Sequence, residues 1–117
     1  MYNVEYGRIG DSSTNLYRIL VDRLWPRGIA KQNAPWDEWN KDVAPSTPLR
    51  RWYGHNPARY ESFCQQYHDE LLALRSTLAI RSLITLAQDR PLILLTATRD
   101  PSTSHVPTLR QFLLDGT

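Results

Sequence analysis

The sequence predicts a single α/β domain over residues 1–117, in which a small, mainly parallel sheet is flanked by helices. Two apolar segments, residues 17–22 and 91–97, are typical of buried strands, and a long segment with helical periodicity separates them. A long helical connection between two strands favours parallel pairing with a right-handed crossover. The length of 117 residues suits one compact core.

The beginning of the chain is predicted to consist of strands and loops. Residues 4–9 form a first strand, residues 10–15 a polar turn cluster, and residues 17–22 a second strand rich in apolar side chains. Proline and glycine interrupt the next segment, so residues 25–34 are predicted to be a loop.

Two short helices are predicted next, because proline marks the first turn of each. Pro35, followed by two acidic residues, predicts a helix over residues 35–43. Thr47 is a candidate N-cap for a second helix with Pro48 at its first position, and Gly54 marks its end.

The second half of the chain is predicted as two helices, a strand and a last helix. The helix that precedes the strand covers residues 77–88. Residues 91–97 form a strand covered on both faces, and the last helix follows Pro101. Asn56 and Pro57 open the first helix, whose apolar face has spacings of three and four: Tyr60, Phe63, Cys64, Tyr67, Leu71 and Leu74.

Cysteine and histidine usage excludes several classes of protein. Cys64 is the single cysteine, so no internal disulfide forms, and a reducing cytoplasm is the expected compartment. Its place on an apolar helix face favours a buried structural thiol. The three histidines show no zinc-binding spacing, so we expect no metal and no cofactor. The longest apolar run is too short to cross a bilayer, and no signal peptide is indicated.

The positive charge is carried mostly by arginine, with twelve Arg against two Lys at a net charge of only +2. Arginine is the side chain that grips phosphate or carboxylate with two parallel hydrogen bonds. A bias of genome composition towards Arg codons explains the same numbers equally well, so both interpretations stay open at this stage.

The most informative segment follows the second predicted strand, where Asp22, Arg23, Trp25 and Arg27 occur close together. Side chains that bind ligands often lie on loops at such strand ends. Arg23 and Arg27 are candidates to hold an anion, and Asp22 is a candidate base or orienting group. The alternative is an ion pair between Asp22 and an arginine that fixes the loop. For Trp25, packing within the loop is favoured over stacking on a ligand.

A second group follows the strand at residues 91–97 and contains Arg99, Asp100 and His105. A strand end followed by a hydroxyl-rich helix start is typical of an anion cradle built from backbone N–H groups. Arg99 is a candidate anion ligand, and Asp100 and His105 are candidates for proton transfer. An ordinary capped helix with a surface histidine is the alternative.

A third group, residues 50–55, interleaves basic and aromatic side chains. Arg50 and His55 are candidates for the same anion pocket. The pattern is also typical of a surface on which single-stranded nucleic acid stacks, with Arg51 and Trp52 as its centre. For Trp52, packing in the core is the favoured alternative.

Residues 20–28 (Leu-Val-Asp-Arg-Leu-Trp-Pro-Arg-Gly) resemble the signature of the domain-of-unknown-function 488 family, in its short YeaO-like branch. The resemblance covers nearly the whole chain from about Val4, with further matches at residues 42–46, 49–50, 52–55, 60–71, 94–100 and at His105. It implies a bacterial, cytosolic, single-domain α/β protein and brings no established activity. Longer members of the family carry cysteines where this chain has Thr96 and Ser104, so the resemblance implies no thiol mechanism here.

Together these features lead to one hypothesis and one rival. The hypothesis is an enzyme-like domain with an Arg- and His-lined pocket at the strand ends, which binds a phosphorylated or carboxylated small molecule. Its catalytic candidates are Asp22, His55, Asp100 and His105, and its binding candidates are Arg23, Trp25, Arg27, Arg50 and Arg99. The rival is a module without chemistry that binds nucleic acid or protein through the basic and aromatic surface around residues 50–52.

Overall fold

Four strands form one sheet in which every described pairing is parallel. The computed structural model describes residues 3–11 and 15–115. The strands are β1 (Val4–Arg8), β2 (Tyr17–Leu20), β3 (Glu38–Trp39) and β4 (Leu92–Thr96), and they lie in the order β1-β4-β2-β3. The predicted α/β class with a small, mainly parallel sheet is therefore confirmed. Of the polar turn predicted at residues 10–15, residues 12–14 lie outside the described part.

β4 lies at the centre of the sheet, and all five of its residues are buried. It pairs with β1 on one side and with β2 on the other, with Leu92 opposite Val4 and Leu95 opposite Leu20. A strand with neighbours on both sides and cover on both faces requires an unbroken apolar run, which this segment supplies. The pairing brings the carboxyl ends of β2 and β4 side by side.

Four α-helices contribute to the core on one face of the sheet: α1 (Thr47–Tyr53), α2 (Tyr60–Ala73), α3 (Leu78–Asp89) and α4 (Val106–Leu114). Their buried side chains form one cluster with the strand residues Val4, Ile19, Val21, Leu92 and Leu94. In the described part of the chain, no helix has both the length and the apolar character needed to cross a membrane.

The opposite face of the sheet is covered by the tryptophan-rich loop that follows β2. Leu20 and Leu95 of this face form a smaller buried cluster with Trp36, and Trp25 and Trp39 pack against it. The Trp25 ring meets Trp36 and Trp39 edge-on, with centroids 4.9 and 5.4 Å apart. This geometry favours packing as the role of Trp25, and it fixes the path of the loop on which Arg23 and Arg27 lie.

The helix predicted at residues 35–43 is wrong. Glu38 and Trp39 form the short strand β3 beside Ile19 and Leu20, and only a 3-10 turn follows, at Lys41–Val43. The carboxylate of Asp37 is not at a helix N-terminus, since it accepts hydrogen bonds from the backbone and the guanidinium of Arg18. Pairing with β2 and this contact therefore override the local helical signals.

The other predicted elements are present with shifted ends. Ser46, rather than Thr47, is the N-cap of α1, because its Oγ accepts the N–H of Leu49. Asn56 caps a 3-10 turn, Pro57–Arg59, that leads directly into α2. The segment Pro101–Thr103 forms a further 3-10 turn before α4, and Ser104 Oγ accepts the N–H of Val106.

The outer edge of β1 is partly closed by side chains. The carbonyl of Asn3 and the N–H of Ile9 form hydrogen bonds with β4. Because backbone groups alternate along a strand, the N–H and carbonyl groups of residues 4, 6 and 8 point away from β4. Arg110 Nε donates to the carbonyl of Val4 at 2.6 Å, and the N–H of Arg8 donates to the Asp11 carboxylate at 2.9 Å. Such cover limits pairing of an edge strand with another chain.

Candidate functional site

A cleft of about 230 Å³ opens at the carboxyl ends of β2 and β4. Its lining combines charged residues with apolar ones such as Tyr53, Phe63 and Pro26. Ligands of parallel α/β sheets bind outside the carboxyl ends of the strands, so the position agrees with the topology. The predicted site residues in this lining are Asp22, Arg23, Trp25, Arg50, His55 and His105.

Arg23 is held in the cleft by backbone carbonyls. Its Nε donates to Pro45 at 3.2 Å and its Nη2 to Ala44 at 3.0 Å. Among the described residues, no carboxylate oxygen lies within 4 Å of the guanidinium, and the alternative of an ion pair with Asp22 does not occur. The half-buried guanidinium therefore keeps its positive charge without a neutralising partner.

Asp22 links the ends of the two central strands. Its Oδ2 accepts the N–H of Ala97 at 2.8 Å, and its backbone carbonyl accepts Trp39 Nε1 at 2.7 Å. Its Oδ1 is buried, has no hydrogen-bond partner among the described residues, and lies 3.8 Å from Nε2 of His105. A buried carboxylate oxygen without a partner is uncommon, and it leaves unused capacity to accept a hydrogen bond at this end of the cleft.

His105 lies next to Asp22, where α4 begins, and is almost completely buried. Its Nε2 is 2.9 Å from the carbonyl of Val21, so Nε2 carries the proton and the neutral ring has its lone pair on Nδ1. Burial lowers the pKa of His105, although the Asp22 carboxylate and the Val21 carbonyl act in the opposite direction. Since burial is the largest effect, His105 is neutral near pH 7.

Three backbone N–H groups after β4 are engaged by side-chain oxygens. Asp22 accepts the N–H of Ala97, Thr96 Oγ1 accepts that of Thr98 at 3.1 Å, and Ser104 Oγ accepts that of Val106 at 3.1 Å. These donors are already used within the chain. They are therefore not free to bind an anion, whereas Arg23, Arg50 and His55 offer side-chain donors in the cleft lining.

Arg50 and His55 reach the cleft from α1 and the turn after it, and both are exposed. The turn follows from two consecutive left-handed residues, Gly54 with φ 51° and His55 with φ 55°. A side chain at positive φ costs of order 1 kcal/mol, so His55 is held in a strained conformation beside the cleft. Its ring lies 5.6 Å from that of Tyr53.

Three tyrosines fix the loops around the cleft, and the sequence did not identify them as site residues. Their hydroxyls donate to backbone carbonyls: Tyr53 to Thr103 at 2.7 Å, Tyr60 to Ser104 at 2.9 Å and Tyr67 to Val43 at 2.6 Å. Burial raises the pKa of all three phenols. The available signal was a tyrosine on an apolar helix face, because a buried hydroxyl needs a partner.

Three predicted site residues are exposed and do not belong to the cleft lining: Arg27, Arg99 and Asp100. The convergence of Arg23, Arg27 and Arg99 on one anion is therefore not seen. Asp100 has a structural task, because its Oδ1 accepts the N–H and the hydroxyl of Ser102 in the 3-10 turn.

Trp52 is exposed, contrary to the core packing that the sequence favours. The guanidinium of Arg59 lies 5.1 Å from its ring centroid and donates to the Trp52 carbonyl. Arg50 and Trp52 are two positions apart on α1, so they project from opposite flanks of the helix. Trp52 thus lies outside the cleft lining, to which Arg50 belongs.

The comparisons with known proteins agree with the resemblance found in the sequence. The model of the inactive DUF488-N3 subclade matches residues 4–117. The chain belongs to this subclade.

Relatives of the DUF488-N3 chain include two uncharacterised bacterial proteins. YeaO of Escherichia coli (strain K12) is 36% identical over 113 residues, which cover 95% of this chain and 96% of YeaO. Rv3073c of Mycobacterium tuberculosis (strain ATCC 25618 / H37Rv) is 42% identical over 96 residues, which cover 82% of this chain and 79% of the relative. No solved structure matches significantly.

The described part of this DUF488-N3 chain contains no cluster of His, Cys, Asp and Glu that could hold a metal ion. Cys64 is half-buried and packs against the main core from α2. The thiol is therefore less buried than the sequence predicts, and it does not belong to the cleft lining.

Proposed function

We propose that the cleft binds a small phosphorylated or carboxylated molecule and that the protein acts as a cytoplasmic binding domain. The observation that carries the proposal is Arg23, whose charge faces the cleft with no carboxylate within 4 Å among the described residues. A half-buried cation is stabilised by an anionic partner, and a bound ligand would supply one.

The geometry of Arg23 supports an anion as that partner. A guanidinium has five N–H donors in a fixed plane, and the carbonyls of Ala44 and Pro45 use one on Nε and one on Nη2. Three donors remain, enough for two parallel hydrogen bonds to a phosphate or carboxylate. The two carbonyls also orient the plane before the ligand arrives, which reduces the entropy lost on binding.

Arg50 and His55 supply further donors where the cleft meets solvent. Neither side chain has a hydrogen bond or an ion pair within the described residues. Two arginines and a histidine around a cavity of about 230 Å³ suit a small anion better than a dinucleotide.

The cleft has donors for binding but no activated nucleophile, so the proposal assigns no reaction. His105 directs its Nε2 proton to the carbonyl of Val21 and not to a hydroxyl. The Ser104 hydroxyl donates to Pro101 at 2.7 Å and accepts the N–H of Val106, so it has no base beside it. The description of the subclade as inactive agrees with this arrangement.

Thermal unfolding with phosphates and carboxylates as added ligands tests the proposal. A ligand at one hundred times its Kd stabilises by about 2.7 kcal/mol, which for a domain of this size raises the Tm by roughly 10 °C. Arg23→Gln should abolish this shift and Arg23→Lys should reduce it, because lysine cannot form the two parallel bonds.

Arg27→Gln is the matched control, because Arg27 is an exposed arginine of the same loop outside the cleft lining. It should leave the ligand-induced shift unchanged. A shift of equal size in Arg23→Gln and in the wild type would refute the proposal, and so would the absence of any shift with small phosphates and carboxylates.

Binding of single-stranded nucleic acid is a second candidate, favoured by the exposed ring of Trp52 beside Arg51 and Arg59. Base stacking on Trp52 is expected to contribute about 1–3 kcal/mol per base, and binding should weaken steeply with added salt. Fluorescence anisotropy of a labelled single-stranded oligonucleotide at low salt tests for this binding. Trp52→Ala serves as the comparison. No binding at low salt would eliminate the candidate.

A further inference from the structure

The cleft carries a negative charge at its buried end and positive charges at its exposed end. The Asp22 and His105 side chains are only 17% and 11% exposed, whereas Arg50 and His55 are exposed. Arg23 is half-buried. This separation of charges lies along a single small cavity, so it constrains the charge distribution of the ligand as well as its net charge.

The negative charge of Asp22 is not balanced by a cation of the protein. Among the described residues, only His105 brings a basic nitrogen within 4 Å of the carboxylate, and burial keeps that ring neutral. One carboxylate oxygen accepts the N–H of Ala97, while the other is buried and has no partner in the part of the chain that the structure describes. The base of the cleft therefore favours a positive group.

His105 lines the same end of the cleft as Asp22. Because Nε2 donates to the carbonyl of Val21, the acceptor on the neutral ring is Nδ1. Asp22 stabilises positive charge on this ring from 3.8 Å away. A carboxylate and a neutral imidazole that line the same end of a cleft are complementary to a strong donor such as an ammonium group.

We propose that the cleft takes a small zwitterion, with its phosphate or carboxylate towards Arg23, Arg50 and His55 and its ammonium group towards His105 and Asp22. This inference rests on the anion-binding function proposed above and adds the second half of the ligand. A compact anion without an ammonium group meets the repulsion of Asp22 inside the same cavity and gains nothing at the buried end.

Two matched pairs of probes isolate the contribution of the ammonium group. Phosphoethanolamine and ethyl phosphate share a phosphate and differ in the ammonium group, and β-alanine and propionate are the corresponding carboxylates. Titration calorimetry on the full chain should show that the ammonium-bearing member of at least one pair binds about tenfold more tightly, a difference that corresponds to ~1.4 kcal/mol. Comparison of the two pairs identifies whether the anion is a phosphate or a carboxylate.

Asp22→Asn should abolish this preference, so that the two members of a pair bind with equal affinity. The substitution keeps the shape and an oxygen that can accept the N–H of Ala97, removes the charge, and places an NH2 donor where Oδ1 was. It should also strengthen binding of ethyl phosphate or propionate, because the repulsion is gone. Asp100→Asn is the control, since Asp100 is exposed outside the cleft lining, and it should retain the wild-type preference.

His105→Gln is a second variant that tests the same arrangement should Asp22→Asn fail to fold. Its amide can donate to Val21 as Nε2 does, but it lacks the ring nitrogen Nδ1, so the preference should fall. Equal binding within both pairs, or a preference that survives Asp22→Asn or His105→Gln, overturns the inference while anion binding stands. Failure of all four probes to bind refutes the anion-binding function and this inference with it.

Discussion

Glu70 of α2 holds the start of α1, and its removal should destabilise the protein measurably. The N–H of Ser46 donates to Oε1 at 2.8 Å and the Ser46 hydroxyl donates to Oε2 at 2.5 Å. The same hydroxyl accepts the N–H of Leu49 as N-cap of α1. One carboxylate thus fixes the helix that carries Arg50 of the cleft.

The magnitude follows from the two hydrogen bonds. A hydrogen bond to a charged group contributes about 1.5–3 kcal/mol, and half-burial of Glu70 reduces the sum, so Glu70→Ala should cost about 3 kcal/mol. Glu70→Gln keeps an oxygen for the N–H of Ser46 and loses the charge, so about 1 kcal/mol is expected. At roughly 4 °C per kcal/mol, the Tm should fall by about 12 and 4 °C.

Urea denaturation of both variants, together with Ser46→Ala and the double variant, measures the effect and its origin. The double-mutant cycle should show a coupling of at least about 1 kcal/mol between Glu70 and Ser46. Asp69→Ala, at an exposed neighbouring position, should stay within about 0.5 kcal/mol of the wild type. A Glu70→Ala variant that loses less than 1 kcal/mol, or a coupling near zero, would show that the contact contributes little to stability.

Three further predictions concern stability and association. Burial lowers the pKa of His105, so on acidification the unfolded chain takes up a proton at this histidine before the folded protein does. The free energy of unfolding should therefore fall as the pH drops from about 6.5, the ordinary histidine pKa, to the lower pKa of the folded state, by no more than ~1.4 kcal/mol per pH unit. His105→Gln should remove this part of the dependence of Tm on pH. Tyr67→Phe should cost about 1–3 kcal/mol in urea denaturation, because the buried carbonyl of Val43 loses its donor, and a smaller loss would contradict that role. Arg110→Ala uncovers the carbonyl of Val4 on the edge strand, so light scattering should detect more concentration-dependent association than in the wild type.

The elements that the sequence predicts well are those whose signals are local. β4 is buried at every position, and its first four residues, Leu92 to Leu95, form an unbroken apolar run of the kind that a central strand requires. α2 has an apolar face at spacings of three and four, and its buried Phe63, Tyr67 and Leu71 follow that pattern. In both segments local pattern and tertiary packing favour the same structure.

The segment at residues 35–43 shows why other elements escape prediction. Proline and two acidic residues favour a helix start, but Asp37 bonds to Arg18 and Trp39 pairs beside Leu20. Both partners lie about twenty positions earlier in the chain, so no local window contains them. The local signals were genuine, and contacts that are distant in sequence outweighed them.

In the candidate site, too, one part could be predicted from the sequence and another could not. Parallel pairing of β2 and β4 was predictable, and it brings Asp22 next to Ala97 and His105. The position of Arg23 was not, because backbone carbonyls hold its guanidinium and these have no sequence signature. The path of the loop after Arg23 depends on Trp25, whose indole donates to Ile29 at 2.7 Å.

The occupied N–H groups after β4 also determine how the proposed ligand is held. In many anion sites, backbone N–H groups at a helix N-terminus provide the donors. Here Asp22 already occupies the N–H of Ala97, so the donors for a ligand anion are the side chains of Arg23, Arg50 and His55. Two of these are exposed, and their attraction for an anion is screened by salt within about 10 Å at 0.1 M. Binding of a simple anion should therefore weaken with salt, whereas the contribution of an ammonium group at buried Asp22 should persist.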